Sequence, residues 1–292
     1  MTEFEAQVIG EHRDELGEGP VWCPVSGALY WIDGLGRRIH QYAPASGATQ
    51  SWSLSRLPGS FALRESGGAL IAFRNGLALF DFESGAETPI EAGEIDFAEE
   101  RFNDGKCDRR GRFWVGSMHK GLTDPIGWLY RIDPDRRVHR VQSGVTLSNG
   151  IAWSPDNSTM YHCDSRPGIV FAWDYSIETG RIANRRVFID YTGLPHGPDG
   201  CTVDADGFLW VTEIRAGRIA RYTPDAKLER IVRTPMMRPT SISFGGANLD
   251  RLYITSMRMG VAPDELARNP LYGGLFVAEP GVRGLPEPRF AG

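Results

Sequence analysis

The chain has 292 residues, of which 41% are hydrophobic and 24% are charged, and its formal net charge at pH 7 is −5. The acidic balance and the lack of a basic stripe argue against a nucleic-acid partner. No apolar run is long enough to cross a membrane, and the acidic start Met-Thr-Glu-Phe-Glu is unlike a secretion signal. We therefore expect a cytoplasmic protein with no membrane partner, folded as a single domain over residues 1–292.

One short sequence pattern recurs six times after the first fifteen residues. In each copy a polar residue is followed 11 or 12 positions later by an aromatic or aliphatic anchor. The anchors are Tyr30, Ile71, Trp114, Tyr161, Trp210 and Tyr253. Successive anchors are 41 to 49 residues apart, a period typical of propellers, kelch-like arrays and helical repeats.

Short apolar runs separated by turn clusters decide among these architectures. In the first unit, the turn cluster Pro24 to Gly27 precedes the run Ala28 to Ile32, and a second run, Ile39 to Tyr42, ends before another turn cluster. Such punctuation is typical of β-hairpins, and no long stretch shows a helical stripe. The pattern predicts an all-β fold, namely a six-bladed β-propeller with four-stranded antiparallel blades.

The segments outside the repeats carry two further predictions. Glu5 to Val8 precedes the first unit, and we expect it to close the ring by pairing with the last blade, because an open ring exposes sheet edges. Pro263 to Ala267 has room for one or two helical turns in a loop of the last unit.

Several chemically suggestive residues are interpreted as structural. The four cysteines lack metal-ligand spacing and stand within strand patterns, so we expect small buried side chains. Asp204 to Gly207 is similar to the start of a calcium loop but occupies a hairpin-turn position and lacks the downstream glutamate. Four histidines belong to no recognisable constellation: His12, His40, His139 and His162.

The polar residues of the six copies stand in register, at or just before the innermost strand of each blade. They are Glu18, Ser60, Asn103, Asn149, Asp199 and Ser241. Because innermost strands line the central channel of a propeller, these residues should converge at one mouth of it. Taken singly, each could be a polar turn residue that bonds backbone amides. As a set, two carboxylates and two carboxamides in a narrow channel predict one bound divalent cation, Ca²⁺, Zn²⁺, Mn²⁺, Mg²⁺ or Fe²⁺.

Four ordered motifs carry a resemblance to a known family. They are Leu16-Gly-Glu18-Gly-Pro-Val-Trp22, Arg101-Phe-Asn103-Asp-Gly-Lys106, Leu147-Ser-Asn149-Gly-Ile-Ala-Trp153 and Pro198-Asp199-Gly200. Over essentially its whole length the chain resembles the regucalcin/gluconolactonase family of sugar-lactone lactonases. The resemblance implies a six-bladed propeller that binds one divalent cation and hydrolyses aldonolactones. It also implies roles for five residues: Glu18, Asn149 and Asp199 as metal ligands, and Arg101 and Asn103 as sugar-binding residues.

One position departs from the animal members of that family. After Gly116 to Met118 those members carry an acidic pair that reaches the sugar, whereas this chain has His119 followed by lysine and glycine. A histidine there is more similar to bacterial members that act on other aldonolactones. His119 is therefore a candidate substrate-binding residue, expected on a loop at the mouth with Arg258, and His196 is a further candidate near the channel.

The expected function is metal-dependent hydrolysis of a sugar lactone, an aldonolactone such as glucono- or xylonolactone, to the aldonic acid. In that reaction the cation polarises the carbonyl, and Asp199 takes the proton of the attacking water. Two alternatives stay open: a related metal-dependent arylesterase or phosphotriesterase, and a non-enzymatic calcium-binding regulatory protein. The identity of the lactone and of the metal, and the oligomeric state, also stay open.

Overall fold

The computed structural model describes residues 2–292, which form six sheets arranged as the blades of a β-propeller. The innermost strand of each blade contacts the innermost strands of both neighbouring blades, and the sixth blade contacts the first in the same way. The predicted fold class, with four-stranded antiparallel blades, is confirmed.

Two short strands precede the blades, and the blades then follow in chain order. The leading strands are β1 (Thr2–Glu5) and β2 (Gln7–Ile9). Blades one and two comprise β3 (Gly17–Cys23), β4 (Ala28–Asp33), β5 (Arg38–Ala43), β6 (Ala48–Ser53), β7 (Pro58–Leu63), β8 (Ala69–Phe73), β9 (Gly76–Phe80) and β10 (Glu87–Ile90). Blades three and four comprise β11 (Glu100–Cys107), β12 (Phe113–His119), β13 (Gly127–Ile132), β14 (Val138–Val145), β15 (Ser148–Trp153), β16 (Thr159–Asp164), β17 (Ile169–Ser176) and β18 (Arg181–Asp190). Blades five and six comprise β19 (Gly197–Val203), β20 (Leu209–Ile214), β21 (Arg218–Tyr222), β22 (Leu228–Arg233), β23 (Pro239–Gly245), β24 (Arg251–Ser256) and β25 (Leu275–Ala278).

The ring closes through residues 2–9, which divide between two blades. Strand β2 pairs antiparallel with β25, with Val8 opposite Phe276, and so supplies the outermost strand of the sixth blade. This confirms the predicted closure for Val8. Glu5, in contrast, belongs to β1, which adds in parallel to the outer strand β22 of the fifth blade. The segment therefore covers two sheet edges rather than one.

The short helix α1 (Pro263–Arg268) lies in the loop between β24 and β25, as predicted from the sequence. It has proline in its first turn, acidic residues Asp264 and Glu265 near its N-terminus and Arg268 in its last turn. This arrangement suits the fixed φ of proline and the helix dipole. No helix within residues 2–292 has the length and apolar character needed to span a membrane.

Packing between blades forms the core. Six clusters of buried apolar residues each combine side chains from two adjacent blades. Trp31, Trp114 and Trp210, which occupy the second strands of alternate blades, are at most 1% exposed. The four cysteines are free and buried, as expected. Each blade is therefore stabilised by its neighbours, as a closed ring of units requires.

A β-bulge interrupts every innermost strand at the position of the repeated polar residue. The register shifts lie between Glu18/Val21, Pro58/Ser60, Phe102/Gly105, Ser148/Ile151, Pro198/Cys201 and Pro239/Ile242. A bulge bends the strand and re-aims its side chains. The bulges of blades three, four and five contain Asn103, Asn149 and Asp199.

Two of the glycines that follow these polar residues allow the innermost strands to approach closely. A Cβ at Gly150 would lie 2.6 Å from the carbonyl oxygen of Asp199, and one at Gly200 would lie 2.4 Å from the hydroxyl of Ser241. Both distances are shorter than real Cβ contacts allow. The glycines therefore permit blade-to-blade packing at the level of the bulges.

The C-terminal segment 283–292 crosses the far end of the channel, where the innermost strands finish. It forms isolated bridges from Gly284 to Asp204 and from Phe290 to Arg64, and Phe290 is fully buried. Residues 285–288 line small cavities together with Lys106, Cys107 and other residues near the ends of the innermost strands. This segment therefore closes the channel at one end.

Asp204 confirms the interpretation of its segment as a hairpin turn. Its Oδ1 accepts the amide hydrogens of Asp206 and Phe208, and its Oδ2 accepts from Trp210 Nε1 and Arg221 Nε. A fully buried carboxylate with these partners is satisfied without a metal ion.

Candidate active site at the open end of the channel

The sequence-predicted site residues gather where the innermost strands begin, at the end opposite the C-terminal segment. Five of them lie on four different innermost strands: Glu18 on β3, Arg101 and Asn103 on β11, Asn149 on β15 and Asp199 on β19. Asn149 and Asp199 are 6% and 7% exposed, whereas the other three are partly exposed. Four blades thus contribute polar side chains to one end of the channel.

A chain of hydrogen bonds connects the third blade to the fourth. Arg101 Nη1 donates to Asn103 Oδ1 over 2.8 Å, and Asn103 Nδ2 donates to Asn149 Oδ1 over 2.7 Å. Asn103 Nδ2 also lies 2.7 Å from the carbonyl oxygen of Ser148, and Asn149 Nδ2 donates to Ser165 Oγ over 2.8 Å. These bonds fix the orientation of both amides. Because an amide oxygen has two lone pairs, Asn149 Oδ1 retains one for a further partner.

Three carboxyl groups from three blades interact at the same level. The pKa of Glu18 is raised well above its ordinary value by burial and by the charges of Asp199 and Asp104. Burial and Asp104 likewise raise the pKa of Asp199. The pKa of Asp104 is raised to about 6 by burial, against the opposing effects of Lys106 and the Gly105 amide. Like charges held together away from water resist ionisation, so this group requires a cation to be fully charged.

Arg101 is the basic side chain that acts on Glu18 in this group, as Lys106 acts on Asp104. Burial and the neighbouring Arg74 lower its pKa to about 10, while Glu18 acts in the opposite direction. The carbonyl oxygen of Arg74 accepts the Phe102 amide over 3.2 Å, which places Arg74 beside β11. Arg74 Nε is buried and has no hydrogen-bond partner within residues 2–292. Two guanidinium groups thus lie close together at the open end.

The remaining candidates surround the open end without joining the hydrogen-bond chain. His119 is the last residue of β12 rather than a loop residue, and its Nδ1 lies 2.9 Å from Thr123 Oγ1. Arg258 follows β24, and its Nε lies 3.4 Å from Glu15 Oε1. His196 directly precedes β19 and contacts the buried Glu213, with 3.5 Å between Nε2 and Oε2.

Sequence reasoning missed two features that the structure reveals. The pattern of one polar residue per repeat does not single out Asp104, although Asp104 follows Asn103 directly. His12 and His40 belong to no constellation that the sequence reveals, yet with Asp14 they offer ligand atoms within 4.8 Å of one another. No local spacing could indicate that group, because His40 lies on a strand that the fold alone brings to residues 12–14.

Comparisons with known proteins agree with this architecture. Residues 16–258 match the family model described as "SMP-30/Gluconolactonase/LRE-like region". The chain is 35% identical to a 6-deoxy-6-sulfogluconolactonase of Pseudomonas putida, with 95% of each chain covered. It is 36% identical to an L-arabinolactonase of Azospirillum brasilense, with 99% of this chain and 96% of the relative covered. A crystal structure of a calcium-binding protein, regucalcin, from Agrobacterium tumefaciens superposes with a TM-score of 0.93 at 30% identity, covering 99% of both chains.

Proposed function

The chain belongs to the SMP-30/gluconolactonase/LRE-like family, and from that membership we propose that it is an enzyme that hydrolyses a sugar lactone to its aldonic acid. The observation that carries the proposal is the group of three carboxyls with raised pKa values, Glu18, Asp104 and Asp199, at one end of the channel. The names of the Pseudomonas putida and Azospirillum brasilense relatives support the same reaction class.

The donor atoms of the site fit a divalent cation. Glu18 and Asp199 offer carboxylate oxygens whose ionisation is disfavoured without one, and Asn149 offers the remaining lone pair of its oriented Oδ1. A divalent cation bound there would supply Lewis-acid polarisation of the lactone carbonyl. Oxygen ligands accept calcium, magnesium, manganese, zinc or iron, so metal add-back is the way to identify the ion.

Asp199 is the general base in this proposal. Burial and Asp104 raise the pKa of Asp199 without a metal; a bound cation would lower it and keep Asp199 ionised, so that the carboxylate is available as a proton acceptor. It accepts the proton of the water that attacks the lactone carbonyl carbon. The ring C–O bond then breaks, and the proton passes to the departing ring oxygen, which becomes a hydroxyl group of the aldonic acid.

Arg101 and Asn103 have different roles in positioning the substrate and the site residues. Arg101 uses Nη1 for its bonds to Phe102 and Asn103, which leaves Nε and Nη2 for the sugar. Asn103 already engages both of its polar side-chain atoms with protein groups. It therefore acts mainly by orienting Arg101 and Asn149, while His119 offers an imidazole at the rim.

The two arginines favour a lactone with an anionic substituent. Arg74 has no carboxylate partner that offsets its burial, and its charge repels that of Arg101. Buried cations are usually paired, so Arg74, which lacks a carboxylate partner beside Arg101, suits a sulfonate or carboxylate group on the sugar. The sulfonated substrate in the name of the Pseudomonas putida relative supports this assignment.

The test is a panel of neutral aldonolactones, sulfonated and carboxylated sugar lactones, aryl esters and phosphotriesters, assayed after chelation with each divalent metal added back. We expect metal-dependent turnover of the lactones. Faster turnover of aryl esters or phosphotriesters would overturn the proposal. For the charged substituent, Arg74→Gln should lower kcat/KM by about 10- to 100-fold for an anionic lactone relative to a neutral one. Arg56→Gln is the matched control, because Arg56 has Glu87 as its partner.

A calcium-binding protein without turnover is the second candidate, because the solved relative from Agrobacterium tumefaciens is described as calcium-binding. It predicts one bound calcium ion and no chelator-sensitive hydrolysis of any lactone in the panel. The Arg101–Asn103–Asn149 chain favours the enzyme, because binding a cation alone does not require an arginine directed at the same site.

A further inference from the structure

A second cluster of ligand-type side chains lies outside the channel, at the seam between the first and sixth blades. His12 and Asp14 belong to the segment between β2 and β3, and His40 belongs to β5 of the first blade. The backbone amide of Asp14 donates to the carbonyl oxygen of Gly273, in the loop before β25, over 2.7 Å. The cluster therefore lies where the ring closes.

The three side chains converge on one point. Asp14 Oδ1 lies 3.3 Å from His40 Nε2 and is hydrogen-bonded to His12 Nε2 over 2.6 Å, a bond whose proton a bound ion would replace. His40 is fully buried, Asp14 is 3% exposed, and the side chain of His12 is 25% exposed. Two ligand atoms that are each about 2 Å from one tetrahedral ion are roughly 3.3 Å apart. The spacing between His40 and Asp14 is therefore that of two ligands of one zinc-type ion.

Hydrogen bonds on the far side of His40 and Asp14 fix the orientation of their ligand atoms. His40 Nδ1 lies 2.7 Å from Ser51 Oγ, and Asp14 Oδ2 accepts from Trp31 Nε1 over 2.7 Å. Hydrogen bonds of this kind on the far atom are typical of metal-binding histidines and carboxylates, because they fix the tautomer and the orientation.

His40 Nε2 itself is unsatisfied. Despite its proximity to Asp14, it makes no hydrogen bond within residues 2–292. A fully buried ring nitrogen that faces a carboxylate oxygen at 3.3 Å without a well-formed hydrogen bond can share a cation with that oxygen. This atom is the independent indication of a ligand.

We propose that His12, Asp14 and His40 bind one divalent transition-metal ion of the zinc type, at a site separate from the channel. The partly exposed His12 provides the entry path, and a water molecule on its solvent side completes the coordination. The bound ion ties the segment that leaves the sixth blade to β5 of the first blade, so its role is to stabilise ring closure.

Ligand chemistry separates this site from the channel. The channel offers only oxygen atoms, which suit calcium and magnesium, whereas this cluster offers two imidazole nitrogens and one carboxylate, which select zinc, nickel or cobalt. Loss of this site should therefore leave lactone hydrolysis in place. The proposal stands independently of the proposed function.

The experiment uses the full chain, stripped of metal and titrated with Zn²⁺ in the presence of excess Ca²⁺, which occupies the oxygen sites. Isothermal titration calorimetry and thermal unfolding are the measurements. For the wild type we expect one zinc equivalent and a rise in melting temperature. For His12→Gln we expect an affinity at least about 10-fold weaker and a smaller rise. His40→Gln tests the buried ligand, and Co²⁺ absorption bands in the visible region report on nitrogen coordination without depending on stability.

His139→Gln is the matched control, because His139 also faces a carboxylate, with 2.9 Å between its Nε2 and Asp133 Oδ2, but has no third ligand. It should bind Zn²⁺ as the wild type does. Equal zinc affinity in the wild type and His12→Gln would overturn the proposal, and so would a Co²⁺ spectrum without tetrahedral bands. Failure of lactone hydrolysis in the wild type would count against the proposed function and leave this site untouched.

Discussion

Both ends of the central channel contain buried charged groups, but these groups form an ion pair at one end and repel one another at the other. At the closed end, Lys106 Nζ lies 3.1 Å from Glu287 Oε1 and 3.2 Å from the carbonyl oxygen of Cys201. Burial alone would lower the pKa of Lys106, yet Glu287, together with Cys201 and Asp104, outweighs it and the pKa is raised. At the open end, burial and the charges of Asp199 and Asp104 raise the pKa of Glu18, and burial and Asp104 raise the pKa of Asp199. At the closed end the charged groups form an ion pair that stabilises the structure. At the open end the carboxyls lack such a partner, and groups of this kind are common in functional sites.

The largest expected effect comes from neutralising one carboxylate at the open end. Asp199→Asn removes the proton acceptor and should lower kcat by about 10²- to 10⁴-fold with the fold intact, because a positioned general base contributes that much. Initial rates on the best lactone of the panel, with circular dichroism as a check of folding, measure this. The control is Asp225→Asn in an exposed turn. Full activity of the Asp199 variant would remove this residue from the mechanism.

The next effect comes from breaking the pair at the closed end. Glu287→Gln removes the carboxylate that is hydrogen-bonded to Lys106 and should destabilise the protein by about 3 kcal/mol, because removing one partner of a buried pair leaves the other without its main counter-charge. Urea unfolding measures the change. The double variant Lys106→Met with Glu287→Leu should recover much of the loss. An unchanged unfolding midpoint in the single variant would contradict the structural role of this end.

A third experiment asks whether the outer edge of the ring matters independently of both channel ends. Deleting residues 1–10 removes β1 and β2, exposes the edges of β22 and β25, and removes the buried Ala6. We expect a loss of about 2 kcal/mol in unfolding free energy from the apolar burial involved. Thermal unfolding of the truncated chain gives the answer, and a melting temperature equal to that of the full chain would sink the closure role.

The smallest effect is a dependence on pH in the metal-free protein. The pKa of Asp104 is about 6 in the folded chain, above its ordinary value of 3.8, so the folded state binds a proton that the unfolded state has already lost. Stability contributed by this group therefore falls as pH rises from about 4 to 6, by an amount on the order of 1 kcal/mol. Urea unfolding in a chelator at pH 4.5 and 7, for the wild type and Asp104→Asn, measures it. The variant should show the smaller decline, and an equal decline would contradict the raised pKa.

The sequence alone predicted the fold and the level of the site because both depend on repetition. Six anchors at a regular period define the blades, and six polar residues at a constant distance before them define the position along the channel. Even the closure by Val8 follows from the rule that sheet edges are covered. The additional parallel strand Thr2–Glu5 could not be predicted, because it has no counterpart in the repeats.

The details of the site depend on contacts between blades, which repetition does not encode. The hydrogen bond from Asn103 to Asn149 joins residues 46 positions apart, and the bond from Arg101 to Asn103 ties the guanidinium to the same chain. The pKa shifts of Arg74 and Asp104 come mainly from burial in the assembled fold. The cluster around His40 also depends on the fold, because His12 and Asp14 lie on a segment outside every repeat.

The bulge at the start of each innermost strand affects which residues of this propeller can be substituted without loss of the fold. Residues in a bulge stand outside the regular ladder, so their side chains can be exchanged while the pairing around them is retained. The ring thus presents six equivalent positions around one axis, four within a bulge and two, Glu18 and Ser60, beside one. Two of them hold only small hydroxyl side chains, Ser60 and Ser241, of which Ser241 lies within a bulge and Ser60 just beyond one. These two positions can therefore accept side chains that bind new substrates, whether through natural substitution or through design.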